Sequence, residues 1–176
     1  MRAKLLIKSL FQRPATVEAP APEALAELAK SVNDRARRVL GRSLAIRAVD
    51  AGSCNGCELE IHALGNAVYD LERFGIKFVA SPRHADVLLV TGIVTRNMRV
   101  ALERTHAATP SPKWVVAVGD CACDGGLFGR GHACVGPVSE LLDVDLHIPG
   151  CPPPPEALLK GLLALLSNPG RARKSG

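Results

Sequence analysis

Aromatic residues are nearly missing from this chain: four Phe, one Tyr and one Trp stand among 176 residues. Single-strand and RNA binders stack bases on aromatic rings, so this chain is not built around a nucleic-acid-binding core. Also missing is any run approaching the ~20 apolar residues that cross a bilayer as a helix. The first eleven residues are basic and carry a short apolar run, Leu5, Leu6 and Ile7. That run is shorter than the core of a secretory signal and has no twin-Arg pair beside it, so export is not expected. There is no internal repeat and no low-complexity tract. With 47% hydrophobic residues, the chain can bury the core of one domain without disulfide staples. Its six cysteines therefore read as metal ligands or redox groups.

A net charge of +5 invites a membrane or nucleic-acid reading, but the charge is unevenly placed. Residues 1–42 hold nine Lys or Arg and four acids, and residues 169–176 hold three basic residues and no acid. The body between them, 43–168, has ten basic and thirteen acidic residues. Three parts are expected: an N-terminal basic extension (1–42), an α/β domain (43–168) and a basic tail (169–176).

Residues 14–22 carry three Pro among small residues and read as a linker. From Glu23, the positions Leu25, Leu28, Ala29, Val32, Ala36, Val39 and Leu40 recur at three- and four-residue steps, with Gly41 where a C-terminal cap belongs. This predicts an amphipathic helix with Lys30, Arg35, Arg37 and Arg38 outward. It packs either on its own domain or a partner, or lies on anionic lipid. Beyond it, strands are expected at 44–49, 76–80, 87–91, 114–118 and 146–148, and helices at 58–74, 96–106 and 156–167. The Gly-rich stretch 125–136 reads as a long loop. Strands alternating with helices predict an α/β fold: an open, flavodoxin-like parallel sheet with helices on both faces.

The cysteines fall at 54, 57, 121, 123, 134 and 151. Cys54 and Cys57 follow the first strand, Cys121 follows the 114–118 strand, and Cys151 follows the 146–148 strand. Carboxyl ends of parallel strands line one edge of an open sheet, where ligands bind, so these four thiols are expected to converge there. Gly52, Gly56, Gly119 and Gly150 flank them and let backbone N–H groups approach sulfur, while Pro149 and Pro152 to Pro155 stiffen the last loop. Cys54 and Cys57 also precede a helix, whose N-terminus favours thiolate. Four thiolates suit an iron–sulfur cluster or tetrahedral zinc. One C-x-x-C pair plus two distant single cysteines fits a cluster on a folded platform better than paired zinc knuckles. A dithiol at Cys-Asn-Gly-Cys, leaving Cys121 and Cys151 unexplained, and unligated thiols remain open. Cys123 and Cys134 read as bystanders, although Cys123 could replace Cys121 as a ligand.

Four ordered segments resemble a known family: Gly-Ser-Cys-Asn-Gly-Cys-Glu-Leu-Glu at 52–60, Ser-Pro-Arg-His-Ala-Asp-Val-Leu-Leu-Val-Thr-Gly at 81–92, Pro-Lys-Trp-Val-Val-Ala-Val-Gly-Asp-Cys-Ala at 112–122 and Ile-Pro-Gly-Cys-Pro-Pro at 148–153. Together they are similar to the family shared by the 20 kDa subunit of respiratory complex I and the small subunits of membrane-bound nickel–iron hydrogenases. Complex I members usually carry adjacent cysteines at the first ligand position, whereas Cys54-Asn-Gly-Cys57 resembles the hydrogenase branch of formate-hydrogenlyase or energy-converting type.

The resemblance implies one 4Fe-4S cluster on Cys54, Cys57, Cys121 and Cys151 and no catalytic residue in this chain. It also implies a large subunit holding a nickel–iron centre, a ferredoxin-like iron–sulfur subunit, membrane subunits, and a peripheral place on the cytoplasmic side of the membrane. Glu58 reads either as an ordinary acid of a first helical turn or as an interface residue coupling protons to electrons. Asp120 and Asp124, beside Cys121, would lower the potential of a cluster there. Arg73, Arg83 and His84 resemble positions near a subunit contact, or are solvated charges. His62 and His132 are spare ligands that four cysteines make unnecessary. Electron delivery to quinone, in a complex I-like module, and a zinc-bound interaction module are the alternatives.

Overall fold

The computed structural model describes residues 21–129 and 131–167. The Met1–Phe11 stretch, nearly all of the Pro-rich linker and the basic tail lie outside them.

The first helix, α1 (Pro22–Leu40), begins with Pro at its first position and ends at Gly41, which adopts a left-handed φ of 71° and donates its N–H to the Arg37 carbonyl at 2.9 Å. Its apolar stripe of Leu25, Ala29, Val32 and Ala36 is buried in the same core as Leu158, Leu159, Leu162 and Leu166 of the last helix, α5 (Pro155–Ser167). The chain's own domain therefore covers the face that a lipid surface would need. Arg35 reinforces the contact, donating from Nε to the Leu166 carbonyl and from Nη2 to the Ser167 carbonyl, each at 3.4 Å. A cation there offsets the exposed carbonyls of a helix C-terminus.

Five strands form one parallel sheet: β1 (Ala45–Asp50), β2 (Lys77–Phe78), β3 (Val87–Thr91), β5 (Trp114–Val118) and β7 (Leu146–Ile148), in the order β2-β1-β3-β5-β7. This is a doubly wound order, with its topological switch between β1 and β3. Every residue of β3 and β5 is buried, as expected of central strands covered on both faces. The two-residue period divides them. Val87, Leu89, Trp114 and Val116 face α1, α5 and α2 (Gly56–Ala63), whereas Leu88, Val90, Val115 and Ala117 pack with Leu102 of α3 (Arg96–Ala108), Ala122 of α4 (Asp120–Cys123) and Val138.

Two sequence expectations change. The single helix expected over 58–74 is a short α2, a turn, and a 3-10 helix at Leu71–Phe74. Asn66 interrupts it, because its Oδ1 accepts from the N–H groups of Val68 and Tyr69 at 2.8 and 3.1 Å, and Asp70 then takes a left-handed φ of 42°. Leu64 and Leu71 remain buried, but Val68 turns outward at 64% exposure. The stretch expected to be one long loop holds a 3-10 turn at Gly126–Phe128 and a strand, β6 (Cys134–Gly136), which pairs antiparallel with β4 (Val94–Thr95).

Candidate metal centre

Parallel strands carry their chain direction in common, so β1, β5 and β7 deliver the segments that follow them to one edge of the sheet. After β1, Asp50 folds the chain back: its Oδ1 accepts from Gly52 N and Ser53 N, both at 2.7 Å, and Ser53 Oγ accepts from Asn55 N at 3.1 Å. Asn55 takes a left-handed φ of 71°, which puts Cys54 before α2 and Cys57 in its first turn. After β5, Gly119 donates to the Ile148 carbonyl at 2.8 Å and Asp120 donates to the Gly150 carbonyl at 2.9 Å, extending the β5–β7 pairing past the strand ends. Cys121 then lies in the single turn of α4, and Cys151 lies just beyond β7.

These segments bring four thiols into one another's electrostatic field. Burial pushes the Cys57 thiol up to about 12, and Glu58 and the thiols of Cys54, Cys121 and Cys151 push the same way. Cys121 is also raised, first by burial and then by Cys151 and Cys54, against a backbone hydrogen bond from Leu127. Cys57 and Cys121 are partly buried, whereas Cys54 and Cys151 are exposed. Space for sulfur is made by glycine. A Cβ at Gly119 would lie 2.5 Å from Cys57 Sγ, one at Gly126 3.1 Å from Cys121 Sγ, and one at Gly56 3.5 Å from Cys54 Sγ.

Cys123 stands apart. Its Sγ points toward the Ala117 carbonyl at 3.6 Å, and its thiol is raised to about 11 by burial, with Asp120 and Asp124 adding to the rise. Cys134 sits on β6, opposite Thr95. The two cysteines read as bystanders thus face the second layer and the small sheet.

The donor set fits a cationic iron–sulfur group. All the cysteines are free, and burial first, with the negative neighbours adding to it, holds the thiols of Cys57 and Cys121 against ionisation. Ligation by iron would supply positive charge there and release the protons. Zinc draws four sulfurs to ~2.3 Å from a single ion. A four-iron cluster takes one thiolate per iron, which the same four cysteines supply.

Glu58, next to Cys57, turns inward. Thr91 Oγ1 donates to its Oε1, while Oε2 is buried without a hydrogen-bond partner among the described residues. His62 and His132 are exposed. On the segments that carry Cys57 and Cys121, exposed apolar side chains appear that the sequence pattern does not announce: Leu59 is 63% exposed, Leu127 92% and Phe128 55%. The carboxylate anchors at Asp50 and Asp120 are likewise absent from the sequence expectations. The first has a readable signal, since Asp two and three residues before Gly-Ser favours a turn closed on its own carboxylate.

Residues 54–165 match the family described as NADH ubiquinone oxidoreductase, 20 Kd subunit. A probable membrane-bound hydrogenase subunit of Pyrococcus furiosus is 45% identical over 131 residues, 74% of this chain and 78% of that protein. Formate hydrogenlyase subunit 7 of Escherichia coli is 42% identical over 160 residues, 89% of this chain but 63% of that protein, so the chain spans under two thirds of that relative. An NADH-quinone oxidoreductase subunit of Geotalea uraniireducens is 48% identical over 119 residues, covering 68% of this chain and 69% of that one. Among solved structures, a chain of an archaeal membrane-bound sulfane sulfur reductase superposes with a TM-score of 0.64 at 35% identity, covering 78% of this chain and 75% of the other. The chain therefore belongs to the family of the 20 kDa subunit of NADH ubiquinone oxidoreductase, whose members serve as electron-transfer subunits of oxidoreductase complexes.

Proposed function

We propose that this chain is the small subunit of a membrane-bound nickel–iron hydrogenase of formate-hydrogenlyase or energy-converting type. It would hold one 4Fe-4S cluster on Cys54, Cys57, Cys121 and Cys151 and relay electrons between a ferredoxin-like subunit and a nickel–iron site in a large subunit. The observation that carries this reading is the meeting of four thiols from three strand ends in space kept open by glycine. The C-x-x-C spacing and the hydrogenase and hydrogenlyase relatives support this branch.

When bound, the cluster supplies one-electron transfer. The chain's residues do the rest. Cys57 and Cys121 would hold the inner side, on α2 and α4, and exposed Cys54 and Cys151 the outer side, with exposed Leu59, Leu127 and Phe128 on the cysteine-bearing segments offering apolar contact to a partner. Glu58, which accepts from Thr91 and whose buried Oε2 has no hydrogen-bond partner among the described residues, would couple proton movement to the electron relay. Among the described residues no helix is long and apolar enough to cross a membrane, which supports peripheral attachment through partner subunits.

The test is metal analysis of the intact complex, purified anaerobically. This chain is expected to contribute about four iron atoms and a reducible cluster signal. Stoichiometric zinc, colourless and without a reducible signal, would identify the interaction-module reading instead. Glu58→Gln is expected to keep the iron and to lower proton-coupled turnover by about tenfold or more, since it retains the Thr91 hydrogen bond and loses the proton. Wild-type turnover in that variant would remove Glu58 from the proton path.

A second reading has one observation in its favour. A cleft of about 540 Å³ between α2 and β2, lined by Ile61, His62, Asn66, Phe78 and Val79, is large enough for a ring-sized ligand. It supports electron delivery to quinone. Quinone reduction without hydrogen turnover by the purified complex would favour that alternative.

A further inference from the structure

One carboxylate ties together two of the loops that carry the cysteines. Asp120 Oδ1 accepts from Gly150 N at 2.7 Å, while the Asp120 N–H donates to the Gly150 carbonyl at 2.9 Å. Both backbone groups of Gly150 are thus held by the residue beside Cys121, and Gly150 is itself the residue before Cys151. Asp50 and Asp124 work within their own loops, on Gly52 and Ser53 and on Gly126, and Glu58 accepts from Thr91 of β3, so none of these three joins two cysteine-bearing loops. Asp120 bridges segments 30 residues apart.

The bridge is not needed to align the strands. Val116↔Leu146, Ala117↔His147 and Val118↔Ile148 fix the β5–β7 register, and the Gly119 N–H to Ile148 carbonyl bond continues it. What the register leaves open is the course of the chain after Ile148. Gly150 runs through a φ of 139°, so tightly folded that a Cβ there would lie 2.7 Å from Pro153 Cα. The carboxylate hydrogen bond falls at this bend.

We propose that Asp120 is the positioning residue for Cys151. Its carboxylate latches the last ligand loop against Cys121, so that the fourth thiol meets the other three, and the same hydrogen bond holds a fixed negative charge beside the site. This rests on the cluster reading above and adds a residue that touches no metal.

The experiment compares wild type, Asp120→Asn and Asp120→Ala in the complex purified anaerobically from its host. Iron per complex, the cluster spectrum, the midpoint potential and co-purification of partner subunits are measured. Asparagine keeps an oxygen for Gly150 N and removes the charge. It should retain wild-type iron and shift the midpoint upward, because one negative charge fewer favours the reduced, more negative cluster. Alanine removes the latch and should lose iron several-fold while the subunits still co-purify. Wild-type iron and spectrum in the alanine variant overturn the proposal, as does an asparagine variant that loses as much iron as alanine. If the alanine variant does not assemble, the asparagine variant decides: full iron with a raised midpoint supports the latch, and an unshifted midpoint overturns the placement of the charge. A wild-type complex without iron overturns the cluster reading itself, before any substitution is compared.

Discussion

Gly119→Ala is expected to empty the cysteine site of iron while the subunit's sheet persists. Gly119 has φ 86° and ψ 156°, a region essentially closed to residues with a side chain. The added methyl would also lie 2.5 Å from Cys57 Sγ, with the Gly150 carbonyl at 3.4 Å and Pro153 Cδ at 4.0 Å around it. Cys57 has little room to yield, since it sits in the first turn of α2, whose Ile61 is packed in the core. Backbone strain and overpacking together cost about 3 kcal/mol, and relief comes most easily by turning the Cys57 thiol out of the site. Iron and sulfide per chain in the anaerobic complex should fall at least fivefold. Gly131→Ala is the control, because a Cβ there meets nothing within 4 Å. Equal iron in the two variants would mean that the space beside Gly119 does not serve the site.

Cys151→Ala should be as severe. Of the four grouped thiols, Cys151 alone comes from the last strand, and its charge acts on both Cys57 and Cys121. Removing it leaves three thiols. The two spare cysteines are poor substitutes: Cys123 is turned toward the Ala117 carbonyl, and Cys134 is fixed on β6. The expected outcome is loss of the four-iron signal, with Cys123→Ala and Cys134→Ala keeping it, read by electron paramagnetic resonance of the reduced complex. A full signal in Cys151→Ala would remove that residue from the ligand set. Loss in Cys123→Ala instead would place Cys123 among the ligands.

What the sequence made legible depended on whether a residue's role was local. The strands at 87–91, 114–118 and 146–148 appear with the expected bounds; the first two are almost wholly apolar runs, which are recognisable without knowing their partners, and the third is a short apolar–polar–apolar alternation. The topological place of the cysteines followed from the alternation of strands with helices. A single helix over 58–74 is expected because apolar spacing carries through Asn66, but the Asn66 side chain competes for the backbone and breaks it. The strand at 134–136 is not legible in the sequence, because its three residues gain strand character only from pairing with Val94 and Thr95. Asp120 was readable as a charge next to Cys121, but its hold on Gly150 exists only once β5 and β7 lie side by side.

The order of strands across the sheet has a bearing on how the protein is made. Cys54 leaves the ribosome before Cys121 and Cys151 after both, and β3 and β5 must be laid between β1 and β7 before their ends come to one edge. No fragment that stops short of β7 can present the complete set of thiols, however well its first strands have folded. A tenant that needs all four thus registers completion of the sheet, and a chain released unfinished has nowhere to lodge it.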